Sequence, residues 1–239
     1  MADINPTVDG GVNSLLAVSF AAARESTSGG SNTVGDTSAN FAVTVQRLAS
    51  GKGSTTFQIN RYFAEFDTSG ISVTPTDATF RIFAHTNNTA DFFVVKANFS
   101  DGSIGNTDFD SIVGWDNDAD NSSNVTKYSS EVTSISVPAQ NSITLNSTAL
   151  ADIRDNDRFK ICLIESTKDL PNTAPSSNIS LSLGMFMGAI TATTRKPVLI
   201  VTEGTAAGYS HKVQGVAASS IGKVNGVATA NIGKVISVD

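Results

Sequence analysis

Asp116, Asp118 and Asp120 stand two residues apart within Asp108-Phe-Asp-Ser-Ile-Val-Gly-Trp-Asp-Asn-Asp-Ala-Asp-Asn. Carboxylates at i, i+2 and i+4 supply the hard oxygens that open a calcium loop. The rest of the helix-loop-helix pattern is missing, because Asn121 stands at the sharp-turn glycine position and Lys127 at the closing glutamate position. Two readings remain: a calcium site of another kind, joined by Asp108 or Asp110, or a solvated acidic loop. Nucleophilic chemistry finds less support. His85 and His211 are the only histidines, one at a strand end and one beside the C-terminal tail. No Gly-x-Ser-x-Gly elbow occurs, and Gly51-Lys-Gly-Ser-Thr lacks both the earlier glycine and the hydroxyl residue directly after lysine that a phosphate loop requires. Five glutamates and no aromatic-lined cleft give paired-carboxylate hydrolysis little to work with. The chain reads as a protein that is not an enzyme. Its lone cysteine, Cys162, sits among Phe159, Ile161, Leu163 and Ile164, which predicts a buried strand thiol and excludes an intramolecular disulfide framework or a multi-cysteine zinc site.

Those residues need a scaffold, and the composition says of what kind. The 239 residues are 40% apolar but only 16% charged. Serine and threonine together make up about a quarter, a bias toward half-buried strands and tight turns. Sixteen basic against 22 acidic side chains, a formal charge of −6, leave no footprint for nucleic acid. The apolar stretch 12–23 is interrupted by Asn13, Ser14 and Ser19 and is too short to span a membrane. It also follows Asp3 and Asp9 rather than a basic region, so no targeting segment is read and the product is expected to be made in the cytoplasm.

From residue 41 onward the apolar pattern has period two between clusters of glycine, proline, asparagine and aspartate. Strands are expected at 41–48, 56–66, 78–84, 92–99, 134–137, 159–165, 179–190 and 198–202. The run at 56–66 places Phe57, Ile59, Arg61, Phe63 and Glu65 on one face and Gln58, Asn60, Tyr62, Ala64 and Phe66 on the other. Both faces turn apolar toward its end, as in a central strand, and Arg61 and Glu65 then require partners or an exposed strand end. Leu150 and Ile153, preceded by Asn146 or Ser147 as N-cap, predict a short helix. Segment 14–23 suits either a strand or a short helix and is read as a strand. The expected fold is all-β, a β-sandwich of jelly-roll type over residues 12–205, preceded by an N-terminal arm at 1–11.

Residues 206–239 differ in kind. Lys212-Val-Gln-Gly-Val-Ala-Ala-Ser-Ser-Ile-Gly is followed by Lys223-Val-Asn-Gly-Val-Ala-Thr-Ala-Asn-Ile-Gly and then by Lys234-Val-Ile-Ser-Val-Asp. A short repeat of glycine, alanine and valine cannot bury its own apolar positions and needs stacked neighbours or another chain. Val213, Val216, Ile221, Val224, Val227, Ile232, Val235 and Val238 are therefore the candidate assembly contacts.

Three stretches carry a resemblance. Ile59-Asn-Arg-Tyr-Phe-Ala-Glu-Phe-Asp-Thr-Ser-Gly-Ile71, followed by Asp77-Ala-Thr-Phe-Arg-Ile-Phe83, resembles the signature of jelly-roll modules of the DNRLRE or carbohydrate-binding-module-like kind. The later order of helix, strand, strand and Arg195-Lys-Pro-Val-Leu-Ile-Val201 is similar to their closing strands. The Lys-Val-Asn-Gly-Val-Ala repeat is similar to repeats that end bacteriophage virion proteins. Together they imply a phage structural protein, a head decoration or cement protein or a head or tail fibre subunit. It would be displayed on the virion and bind copies of itself, a trimer being one form, and other virion proteins. The alternative is an adhesin recognising host-surface glycans through a sandwich face or the loops around Trp115. The module family includes sugar binders, but Trp115 is the sole tryptophan and Tyr62, Tyr128 and Tyr209 are scattered, so sugar binding is assigned to no residue.

Overall fold

The computed structural model describes residues 1–26, 31–34, 40–50, 53–190, 192–204, 223–224 and 227–228. Its strands in chain order are β1 (Ala2–Ile4), β2 (Pro6–Asn13), β3 (Ser31–Val34), β4 (Asn40–Ser50), β5 (Ser54–Asp67), β6 (Pro75–Asn88) and β7 (Phe92–Lys96). There follow β8 (Ala139–Thr144), β9 (Arg158–Glu165), β10 (Ile179–Phe186), β11 (Val198–Glu203), β12 (Lys223–Val224) and β13 (Val227–Ala228). Two α-helices accompany them, α1 (Phe20–Arg24) and α2 (Ser147–Asp155).

Strands β1 to β11 form one antiparallel network folded into a sandwich. One layer runs β8-β6-β11-β1, and the other runs β3-β2-β5-β9-β7. The pair β4-β10 joins them, β4 lying along the first half of β5 and β10 along the end of β6. The all-β expectation holds. Between the layers lies a core of Tyr62, Ala64 and Phe66 from β5, Phe80 and Ile82 from β6, Phe92 and Val94 from β7 and Phe159 and Ile161 from β9. Helix α2 closes it with Ala149 and Ile153. Asn146 caps that helix as expected, its side chain accepting the Ala149 N–H at 3.1 Å.

A second core covers the other face of β5 and β9. Phe57, Ile59, Phe63, Cys162 and Ile164 meet Phe20 and Ala23 of α1, Leu170, and Phe99, Ile104, Phe109, Ile112 and Val125 of the long β7–β8 connection. Strand β5 is thus buried on both faces, as its two apolar rows predict, and Cys162 is fully buried.

Three local expectations change. Segment 14–23 is not a strand throughout: Ala17 pairs with Phe57, then Ser19 caps α1 by accepting the Ala22 N–H at 3.2 Å. Three successive alanines, the best helix formers, make the turn to helix at residues 21–23. Residues 134–137 form no strand. The backbone of Val132 pairs with Phe92 across the sandwich edge, and Asn141 clamps Ser136, accepting its N–H at 2.8 Å and donating to its carbonyl at 2.9 Å. Residues 1–11, expected as an arm, lie in the sheet: β1 pairs with β11, and β2 with β5 and β3.

Candidate functional site

Arg61 lies midway along β5 on the face turned to the second core, and its side chain is fully buried. A guanidinium there is tolerable only when each donor group is matched. Nε and Nη2 donate to the two carboxylate oxygens of Asp169, each at 2.8 Å. Nη1 donates to Asp110 Oδ1 at 2.9 Å and to the Phe109 carbonyl at 2.7 Å. The guanidinium carbon lies 4.0 Å from the ring centroids of both Phe109 and Trp115. Burial draws the Arg61 pKa down, but Asp169 and Asp110 outweigh it and hold the group above its ordinary value.

Arg24, the last residue of α1, enters the same site from the other side of the chain fold. Its Nε donates to the Asp169 carbonyl at 2.8 Å, Nη2 to the Ala119 carbonyl at 2.9 Å, and Nη1 to the carbonyls of Asn117 and Asp116. Its guanidinium packs 4.3 Å from the Trp115 ring centroid, and the indole N–H donates to Asn117 Oδ1 at 2.7 Å. Burial lowers the Arg24 pKa, with Asp169 opposing. Two arginines and two aspartates thus form an electrically balanced quartet that pins α1, β5, the 3-10 turn Asn106–Asp110 and the β9–β10 loop together.

The acidic loop takes its shape from this quartet. Asp116 and Asp120 fold back on their own backbone, accepting the N–H groups of Asp118 at 2.9 Å and Ser122 at 2.8 Å. Asn121 is fully buried and closes the loop: Oδ1 accepts the Asp116 N–H at 3.0 Å and Nδ2 donates to the Asp116 carbonyl at 2.8 Å. Asp116, Asp118 and Asp120 are not gathered into a metal-holding cluster; among the described residues no group of three acidic, histidine or cysteine side chains is so placed. The loop directs its carbonyls at Arg24 instead. Lys127 donates to the Ser122 carbonyl at 2.7 Å and lies over the Phe93 ring. Asp108 caps the Asn106–Asp110 turn, accepting the Gly105 N–H at 2.7 Å.

Further buried carboxylates do similar work. Glu165 accepts the N–H groups of Thr167, Lys168 and Asp169 and so fixes the turn that presents Asp169; its pKa is raised by burial against those bonds. Glu65, on the same face as Arg61, accepts from Thr7 Oγ1 at 2.7 Å and the Gly102 N–H at 3.1 Å, with Arg158 and Lys160 nearby. Asp9 accepts from the Tyr62 hydroxyl and the Gly188 N–H, both at 2.7 Å. Sequence reading anticipated that Arg61 and Glu65 need partners. It missed Arg24 and Asp169, for which no local pattern exists, and Asn121.

Open grooves mark the described surface, two of them on the sandwich edges. One, of about 450 Å³, lies between residues 130–135 and 141–146. The other, of about 500 Å³, is lined by Lys96, Asn98, Asp101, Tyr128, Arg158 and Lys160, with residues 155–157 and 159 completing it. His85 lies on β6 with its ring 5.2 Å from that of Phe186. In the tail, the β12–β13 ladder pairs Val224 with Val227 and Lys223 with Ala228 in backbone register. Val213, Val216, Ile221, Ile232, Val235 and Val238, and His211, lie outside the described residues. No family model matches the chain, and no curated protein matches its sequence.

Proposed function

We propose that the chain is a structural component of a phage particle, a head decoration or cement protein or a head or tail fibre subunit, acting through protein-protein assembly rather than catalysis. The observation that carries this reading is the ladder inside the repeat: Lys223-Val224 pairs with Val227-Ala228, and the sequence places Lys-Val-Gln-Gly-Val-Ala eleven residues earlier and the partial copy Lys-Val-Ile-Ser-Val-Asp eleven residues later. A lone two-stranded hairpin is marginal in water, so a repeated one implies neighbours to stack on. The sandwich supplies a rigid body, its buried charges spent on fastening loops to β5. On this reading the protein is made in the host cytoplasm, is displayed on the virion, and has copies of itself and other virion proteins as partners.

The test is deletion of residues 208–239 and measurement of incorporation into purified particles. Loss of the protein from otherwise intact particles is expected, and normal incorporation overturns the reading. Imaging of labelled protein on the particle then separates head from tail positions. A glycan-binding adhesin is the second reading, favoured by the polar groove around Lys96, Asp101 and Lys160. It does not gain from Trp115, whose ring is already held between side chains of the quartet. Particles that incorporate the truncated protein but fail to adsorb, or a positive glycan array, favour the adhesin.

A further inference from the structure

Lys160, on β9, brings its ammonium nitrogen to 5.3 Å from the ring centroid of Phe99. Nζ donates to the Phe99 carbonyl at 2.6 Å and to Asp101 Oδ1, and it lies 3.8 Å from Glu65 Oε2. The Lys160 side chain is mostly covered, at 14% exposure, and that of Glu65 is fully buried. Glu65 Oε2 also accepts the N–H of Gly102, the residue after Asp101, so the buried carboxylate is tied to the segment that carries the exposed one. Among the described residues one other ion pair involves a lysine, Lys96 with Asp152, and no second carboxylate stands within ion-pair distance of its nitrogen.

An amine held against a carboxyl group, with a buried carboxylate beside it to carry protons, has the parts that amide formation needs. We propose that Lys160 and Asp101 join in a side-chain amide, with Glu65 as the proton carrier. Glu65 takes one proton from the ammonium, and the freed lone pair on nitrogen bonds to Asp101 Cγ. One Asp101 oxygen then leaves as water, taking a second proton from the nitrogen and the proton held by Glu65. Ammonium and carboxylate thus give one neutral amide and one water, Glu65 ends as it began, and no oxidant or other reactant is consumed. Asp101 is exposed, so the expelled water has an open path to solvent. Holding the two groups together replaces an encounter in solution, which is the main obstacle to such a condensation. The product is a covalent tie between β9 and the β7–β8 connection, in a chain whose single cysteine permits no internal disulfide.

The intact mass of the purified full chain tests it. The chain is expected to be lighter than its sequence by one water, and a protease digest to contain a branched peptide in which Lys160 and Asp101 are linked. K160R keeps the positive charge but supplies no primary amine, and E65Q keeps the shape of Glu65 without its carboxylate. Both are expected to show the full sequence mass, with the circular dichroism of a folded β protein. A succinimide at Asp101-Gly102 also loses one water, but it reopens in mild alkali and does not need Lys160. An unchanged wild-type mass leaves an ion pair and overturns the inference, as does a water loss that persists in K160R or is reversed by mild alkali. A branched peptide that still forms in E65Q overturns the role of Glu65. Where E65Q does not fold, K160R and the wild-type digest decide.

Discussion

Arg61→Ala should bring the sandwich close to unfolding. The substitution removes four hydrogen bonds, three of them to carboxylate oxygens, and the packing of one guanidinium against Phe109 and Trp115. Adding single-bond values overstates the loss, because water does not return to a sealed site and neighbours relax only in part. The better guide is the cost of breaking a buried pair, about 3–5 kcal/mol, set against a total stability of roughly 5–15 kcal/mol. Asp169 is left nearly fully buried, with its closest remaining cationic atom, Arg24 Nε, at 3.7 Å. The quartet then carries an unbalanced negative charge. Arg61→Ala/Asp169→Ala restores the balance, so the double variant should be less damaged than the two single losses summed, by about 1–3 kcal/mol. Arg61→Lys keeps the charge but not the two-pronged fit to Asp169, and should fall between wild type and alanine. Urea unfolding followed by tryptophan fluorescence reads the site directly, since Trp115 is the only tryptophan and lies against both guanidiniums. The loss should be similar at low and high salt, because the pair is shielded from counterions. A cost below about 1 kcal/mol, or strict additivity in the double variant, refutes the reasoning.

Three other outcomes follow from local geometry. Burial raises the Asp9 pKa against the bonds from Gly188 and Tyr62, so its stabilising effect is complete below its unfolded value of about 4 and is lost as pH rises through the folded value. Denaturant melts of wild type and Asp9→Asn should therefore shift in the variant's favour between pH 4 and pH 7, and a shift the other way contradicts the sign. Gly114 has φ of +85°, and an added Cβ would lie 2.2 Å from the Asn124 carbonyl oxygen, so Gly114→Ala should cost more than about 1 kcal/mol in thermal unfolding. Asn146→Ala removes both the α2 cap and the bond from Nδ2 to the Lys127 carbonyl and should cost about 1–2 kcal/mol, whereas Asn146→Asp keeps the cap but sets a carboxylate against that carbonyl and should recover only part of the loss.

Sequence periodicity reached whatever depended on neighbours along the chain. The two apolar rows of β5, the buried Cys162, and the cap and inward residues of α2 are all local patterns, and each appears in the structure. Helix α1 was within reach too, since Ser19 before Phe-Ala-Ala-Ala-Arg is a capped helix start, but Leu15, Leu16 and Val18 alternate closely enough to imitate a strand. The second core was not legible. Phe99, Ile104, Phe109 and Ile112 sit in an irregular connection where no period of two or 3.6 marks an inward face, and only contact with β5 and β9 gives them one.

The acidic loop shows how a local signal can leave its partner open. Asp116, Asp118 and Asp120 mark a tight turn-rich loop, and the same Asx turns that suit such loops converge backbone carbonyls on a common centre. That centre attracts a cation. A spacing rule sees only the loop and leaves a metal or solvent as the choices, whereas the fold brings Arg24 from a helix more than ninety residues away. Once the carbonyls of Asp116, Asn117 and Ala119 are directed at a guanidinium, the carboxylates are free to cap their own turns. The side chain that sets the loop's shape is then the neutral one, Asn121, at the position where a calcium loop would have needed glycine.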